Sequence, residues 1–171
     1  MNLISLGLVT EHNNHQFYVE ISDYDRSLES SFVKETVVPL LQPEYAVDYP
    51  TAGHLLLSWL ESFNTSELNV VVDYAGDIHL MAKLIEKHSH TIKISYEFFN
   101  AHLFDVIVSS ESSIPSLFHK TNKKYQVALT AGIDAKELYF QLPGCTIHHA
   151  LTDAIGLQQS WLAAISTLTS L

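Results

Sequence analysis

The chain has 171 residues, 47% hydrophobic and 16% charged, which suits one folded domain (1–171) with a sizeable core and excludes a disordered tail. No run approaches the ~18 consecutive apolar residues of a membrane-spanning helix, and a lone cysteine, Cys145, excludes an internal disulfide and fits a reducing cytosol. Nineteen acidic against nine basic residues give a net charge of −10, with Arg26 the single arginine, which argues against a protein that tracks a long duplex by its phosphates. Room remains for one that admits a few nucleotides at bound cations, because cations reverse the local field.

The N-terminal "MNLISLGLVTEHNN" has no basic n-region and no small-residue cleavage site, so no signal peptide is expected. "NLISLGLVTE" (2–11) reads as a buried strand with Gly7 inside it, "HNNH" as a turn, and "QFYVEIS" (16–22) as a second strand. A helix is predicted over 29–41, with Phe32, Val33, Thr36, Val37 and Leu40 on its stripe and Pro43 past its end. A second is predicted over 51–63, capped by Thr51, with Leu55, Leu56, Trp59, Leu60 and Phe63 as its apolar face.

"NVVVDY" (69–74) is a continuous β-branched run, the pattern of a strand buried on both faces in a parallel or mixed sheet. A helix follows from Asp77 to about Lys87, with Ile78, Met81, Leu84 and Ile85 as its stripe. A strand at about 103–108, a helix near 114–125 and a C-terminal helix at about 149–168 complete the set; residues 126–147 carry no clear pattern. The order gives an α/β fold.

Two stretches carry chemistry. In "VVVDYAGDIHLM", Asp73 ends a buried strand and Asp77 opens the next helix, at the strand carboxyl end where open α/β sheets place their sites. An N-cap or first-turn role explains Asp77 as well. In "CTIHHALTDAIG" (145–156), His148 and Asp153 on one helix would lie about 140° apart. They converge if His148 sits in the loop after the breaker cluster "LPGC" and Asp153 one turn inside the helix. His149 and Asp153, at i and i+4, form an alternative metal pair. A capped helix start with a solvated first-turn carboxylate explains the same residues.

"HHALTDA" resembles the last motif, H-x-A-x-x-D, of the DEDDh 3′–5′ exonucleases of the ribonuclease-H-like superfamily, a group that includes ribonuclease T, oligoribonuclease and the ribonuclease AS-type enzymes. "VVVDYAGDIHLM", preceded by "AGHLLLSWLESF", is similar to the middle motif. "LISLGLVTE" and "QFYVEIS" look like the family's second and third strands, so the resemblance runs over about 2–168 in the right order. It implies a ribonuclease-H-like mixed sheet flanked by helices. It also implies two-metal hydrolysis, with Mg²⁺ or Mn²⁺, of terminal phosphodiesters at the 3′ end of single-stranded RNA or an oligonucleotide. By motif position Asp77 and Asp153 are metal ligands and His148 is the general base. Lys120, Lys123 and Lys124 are candidates to meet phosphates or form a solvated face. A cytoplasmic setting without membrane association, and a homodimer, go with the resemblance.

One motif is missing. The family's D-x-E lies on a first strand, central in the sheet order 3-2-1-4-5, and here the match begins with the second strand at Asn2. Glu20 is a weak substitute candidate, because position 18 holds Tyr18 rather than an aspartate; Asp73 is another. Without the central strand, "LISLGLV" and "VVVDY" each keep an open edge unless they pair with each other. The expectation is that Met1 is an internal methionine, that the natural chain starts roughly ten to twenty residues earlier, and that the chain as given is impaired. Two other functions stay open: a non-catalytic nucleic-acid- or protein-binding module on the same fold, and a mononuclear metal protein using His148, His149 and Asp153 with Cys145 nearby.

Overall fold

The computed structural model describes residues 2–12, 15–99 and 123–170. Strands β1 (Ser5–Val9) and β2 (Gln16–Ile21) form the expected antiparallel hairpin, with Gly7 opposite Tyr18. Residues 13 and 14 of the intervening turn lie outside the described residues. Alternation sorts β2 cleanly: Phe17, Val19 and Ile21 enter the hydrophobic core, while Tyr18 and Glu20 face the other way. A two-residue strand, β3 (Ala46–Val47), runs parallel to β2.

The helix predicted over 29–41 is a correction. Residues 31–40 are helical but irregular, a π-type turn over Val33–Val37 followed by a 3-10 turn over Val38–Leu40, and none of them is buried. Pro39 supplies the reason: it lacks an amide donor and its ring collides with the preceding turn, so a regular ladder cannot run through it.

Helix α1 (Tyr49–Glu61) starts two residues before the predicted position. Asp48, not Thr51, is the cap, its carboxylate accepting the Thr51 N–H at 2.8 Å, with Pro50 in the first turn. Its buried face is Ala52, Gly53, Leu56, Leu57 and Leu60, and Leu55 is exposed. The stripe is rotated from the predicted one because α1 packs against both β2 and the following helix, and the Leu55–Leu56–Leu57 run offers either direction.

Strand β4 (Glu67–Val72), helix α2 (Ala75–Ile85) and strand β5 (Lys93–Phe98) form a β-α-β unit in which β4 and β5 pair in parallel, Val70 opposite Tyr96. Strand β5 is an addition to the elements predicted from the sequence. The strand and most of the helix predicted at 103–108 and 114–125 lie outside the described residues. Helix α3 (Lys123–Phe140) occupies the stretch that carried no clear pattern, and α4 (Ala150–Thr169) is the predicted C-terminal helix.

The strands form two sheets, β1-β2-β3 and β4-β5. Within the described residues β1 pairs with β2 alone and β4 with β5 alone, so β1 and β4 do not close on each other. One core joins both sheets to α1 and α2, centred on Val19, Leu56 and Leu84, each contributing about 1.5–3 kcal/mol by burial. A second cluster, Tyr125, Ala128 and Ala164 with Val71, Leu157 and Trp161, seats α3 and α4 on the sheet. Leu68 and Val70 of β4 turn to the first cluster and Val71 to the second, so that strand is covered on both faces. The architecture is mixed α/β.

Candidate active site

Helix α4 crosses β1 at Gly7. A Cβ built on Gly7 would overlap the Ala150 carbonyl group and the Leu151 nitrogen, both backbone, so only glycine admits this approach. Further along, the Gln158 side-chain amide donates to the Thr10 carbonyl at 2.6 Å and the Trp161 indole to the Glu11 carboxylate at 2.7 Å. The start of α4 is thereby fixed on the hairpin, and with it Asp153 in the first turn.

The loop ahead of α4 separates the two histidines. His148 has φ +71°, in the left-handed region, and its main-chain N–H donates to Asp153 Oδ1 at 3.2 Å. Asp153 thus holds the His148 backbone, leaving the imidazole exposed and edge-on to the Phe32 ring, 5.1 Å between centroids. The predicted arrangement, His148 in the loop and Asp153 one turn inside the helix, is the one found.

His149 is the N-cap. Its Nδ1 accepts from the Thr152 N–H at 3.5 Å and lies 3.3 Å from the Thr152 hydroxyl. Its ring stacks on Tyr18 at 4.6 Å, and its buried Nε2 has no hydrogen-bond partner among the described residues. The alternative pairing of His149 with Asp153 as metal ligands is not formed: the ring is turned onto β2 and its Nδ1 is engaged in capping.

Asp73 follows β4 directly, and Asp77 lies in the first turn of α2. Tyr74, not Asp77, is the N-cap residue, so of the two bland roles it is the first-turn one, a carboxylate at the positive end of the helix, that Asp77 occupies. Partial burial raises the Asp77 carboxyl above the ordinary carboxylate range, and the charges of Asp73 and Asp153 raise it further. Asp153 is likewise raised by burial and by Asp73, against the lowering effects of the His148 N–H and of Lys136. Acids at a strand end and at two helix starts thus act on one another electrostatically. Lys136 of α3, absent from the sequence reading because α3 was, places its Nζ 2.7 Å from Asp73 Oδ2.

The other candidates are placed as follows. Glu20 is 3% exposed and its carboxylate is engaged by the Tyr18 hydroxyl at 2.6 Å and the Gln42 amide at 2.8 Å, a structural role on β2. Lys123 and Lys124 sit exposed at the start of α3, and Lys120 lies outside the described residues. Cys145 neighbours Tyr139, whose hydroxyl is pushed up to about 12 by burial and by that thiol.

The donors suit a hard divalent cation in kind: carboxylate oxygens, partly desolvated, whose mutual repulsion a cation would relieve. Their present spacing is a different matter. No group of three or more His, Cys, Asp or Glu among the described residues is placed to hold a metal ion.

Raised carboxyls carry a sign. Between the ordinary and the raised range the native state holds more protons than the unfolded chain, so metal-free stability falls as pH rises through that window and is recovered as pH drops back through it. Asp77→Asn removes part of this penalty. It is expected to stabilise the metal-free protein at neutral pH by up to about 0.5 kcal/mol after solvent screening, and to flatten the loss of stability as pH rises past the ordinary carboxylate range, as read by thermal melts.

Comparison with known proteins adds no relative: no family model, no curated protein and no solved structure matches the chain.

Proposed function

We propose that this chain is a metal-dependent 3′–5′ exoribonuclease-like hydrolase on a ribonuclease-H-like fold, acting at the 3′ end of single-stranded RNA or a short oligonucleotide. The reading is carried by placement: Asp73 directly after β4, Asp77 and Asp153 in the first turns of α2 and α4, and His148 in a loop whose main chain Asp153 holds. The mixed α/β architecture, with an antiparallel hairpin followed by a parallel β-α-β unit, is compatible with that fold.

Asp77 and Asp153 would hold Mg²⁺ or Mn²⁺, with Asp73 as a further oxygen donor. A cation bound there supplies charge stabilisation for the phosphoryl transition state. His148 accepts the proton of the attacking water; its exposed imidazole is free to move onto that water, while Phe32 limits the ring on one side. Asp153 fixes the loop from which His148 acts. No helix among the described residues is long and apolar enough to cross a membrane; a cytoplasmic location and a homodimer belong to the same proposal.

The test is Mn²⁺-dependent trimming of single-stranded RNA labelled at one end or the other. Early loss of a 3′ label, with 5′-labelled products shortening stepwise, supports the reading; no Mn²⁺-dependent change in either label contradicts it. The second reading, a non-catalytic binding module, is favoured by the Lys136–Asp73 ion pair, which neutralises one of the acids.

A further inference from the structure

Between Tyr24, in the core, and Val47, packed against it, the chain makes an excursion in which no residue is buried. The excursion is not polar: Leu28 is 63% and Phe32 53% exposed, and Val33, Val37, Val38 and Leu40 are partly exposed. Both ends are pinned. The Tyr24 hydroxyl donates to the Glu29 carboxylate at 2.8 Å, and the Asn2 side-chain amide to the Asp25 carbonyl at 2.9 Å. At the far end the Gln42 N–H donates to both oxygens of the buried Glu20 carboxylate, at 2.8 and 2.9 Å, and Leu41 packs on the core. The middle has no such hold. Its π-type and 3-10 turns pack chiefly on each other, and Pro39 denies them a continuous hydrogen-bond ladder. The middle reaches another element through Phe32, whose ring meets the His148 imidazole edge-on at 5.1 Å.

We infer that residues 26–40 are a hinged strap over the His148 loop, held down in the middle by the Phe32–His148 contact and able to lift without unfolding the rest. The ground is local stability: a segment that buries no side chain gives up little when it opens. The core around Val19, Leu56 and Leu84 stays closed meanwhile, because none of residues 26–40 belongs to it. Lifted, the strap uncovers the side of the imidazole that Phe32 blocks. Lowered, it narrows the approach to that ring. An exposed aromatic pair is strong enough to set the open fraction and too weak to lock the strap down. The inference rests on the reading of His148 as a site residue only for what the strap guards; the motion itself needs neither RNA nor metal.

Amide hydrogen exchange followed by NMR reads the strap at two bonded amides, Lys34 to the Ser30 carbonyl at 3.1 Å and Val38 to the Val33 carbonyl. In the parent both should exchange well before the amides of Leu56 and Leu60 in α1, yet more slowly than in an unstructured chain. Phe32→Ala removes one ring of the contact. His148→Asn removes the other, with a residue that tolerates the positive φ at that position. Each should speed exchange at Lys34 and Val38 by roughly two- to tenfold. The double variant should exchange no faster than either single one, and Tm should stay within about 2 °C of the parent. Modification by diethyl pyrocarbonate, mapped by peptide, should quicken at His148 in Phe32→Ala and stay the same at exposed His12. Strap amides as protected as those of α1, or not protected at all, overturn the inference. So do exchange rates that neither variant moves, two single effects that add in the double variant, or an unchanged rate of modification at His148. A strap that behaves as expected in a protein that trims no RNA counts against the exonuclease reading and leaves the strap standing.

Discussion

Asp153→Ala is expected to reduce Mn²⁺-dependent RNA trimming on the order of 100-fold, the usual cost of removing one preorganised electrostatic group from such a site. Two effects combine in that variant. The carboxylate charge disappears from the cluster with Asp73 and Asp77, and the acceptor for the His148 N–H disappears from the loop. Losing the hydrogen bond alone costs about 1 kcal/mol of local order, in a loop already held at φ +71° on His148. Asp153→Asn separates the two, because an amide oxygen still accepts from His148 while the charge is gone. It is expected to fold as the parent and to lose activity as the alanine variant does. An asparagine variant that trims RNA at the parent rate would show that the carboxylate charge has no part in the chemistry.

The other large effect is on the fold that delivers Asp153. Gly7→Val is expected to destabilise the protein by about 3 kcal/mol or more, a Tm loss of roughly 6–12 °C for a chain of this size. The built Cβ overlaps backbone atoms of Ala150 and Leu151, which cannot swing aside as a flexible side-chain tip can. Relief requires lifting the start of α4 from β1, and that lifts Asp153 and the His148 loop with it. Gly7→Ala should show the same effect in smaller measure. Denaturant and thermal unfolding of the two variants check the order, parent above alanine above valine. Equal stability of all three would mean that the helix does not rest on the strand at this point.

What could be read from the residues follows from how local their signals are. The hairpin, the β-branched "NVVV" run and the long apolar stripe of α4 declare themselves by period and turn chemistry, and each is present. Asp73 and Asp77 were legible because they flank one strand-to-helix turn. The His148–Asp153 geometry was legible only conditionally: five residues apart they diverge on a helix, and they meet because His148 adopts a positive φ that its residue type does not announce. Lys136 was not legible, since its partner is 63 residues away and the weakly amphipathic α3 gave no periodic signal to place it. Strand β5, "KISYEF", alternates but is short and polar on one face, and only its pairing with β4 makes it a strand. Pro39 was visible in the sequence and should have broken the predicted 29–41 helix. His149 pointed toward a metal pair by spacing, whereas Tyr18, distant in sequence, claims its ring.

On the proposed reading, Asp77 and Asp153 hold a divalent cation. Mn²⁺ titration of the parent and of the Asp77→Asn/Asp153→Asn double variant, followed by calorimetry and EPR, tests it most directly. Saturable binding by the parent and none by the double variant, which should remain folded, is the expected result. Equal binding by the two proteins, or none by the parent, would contradict it.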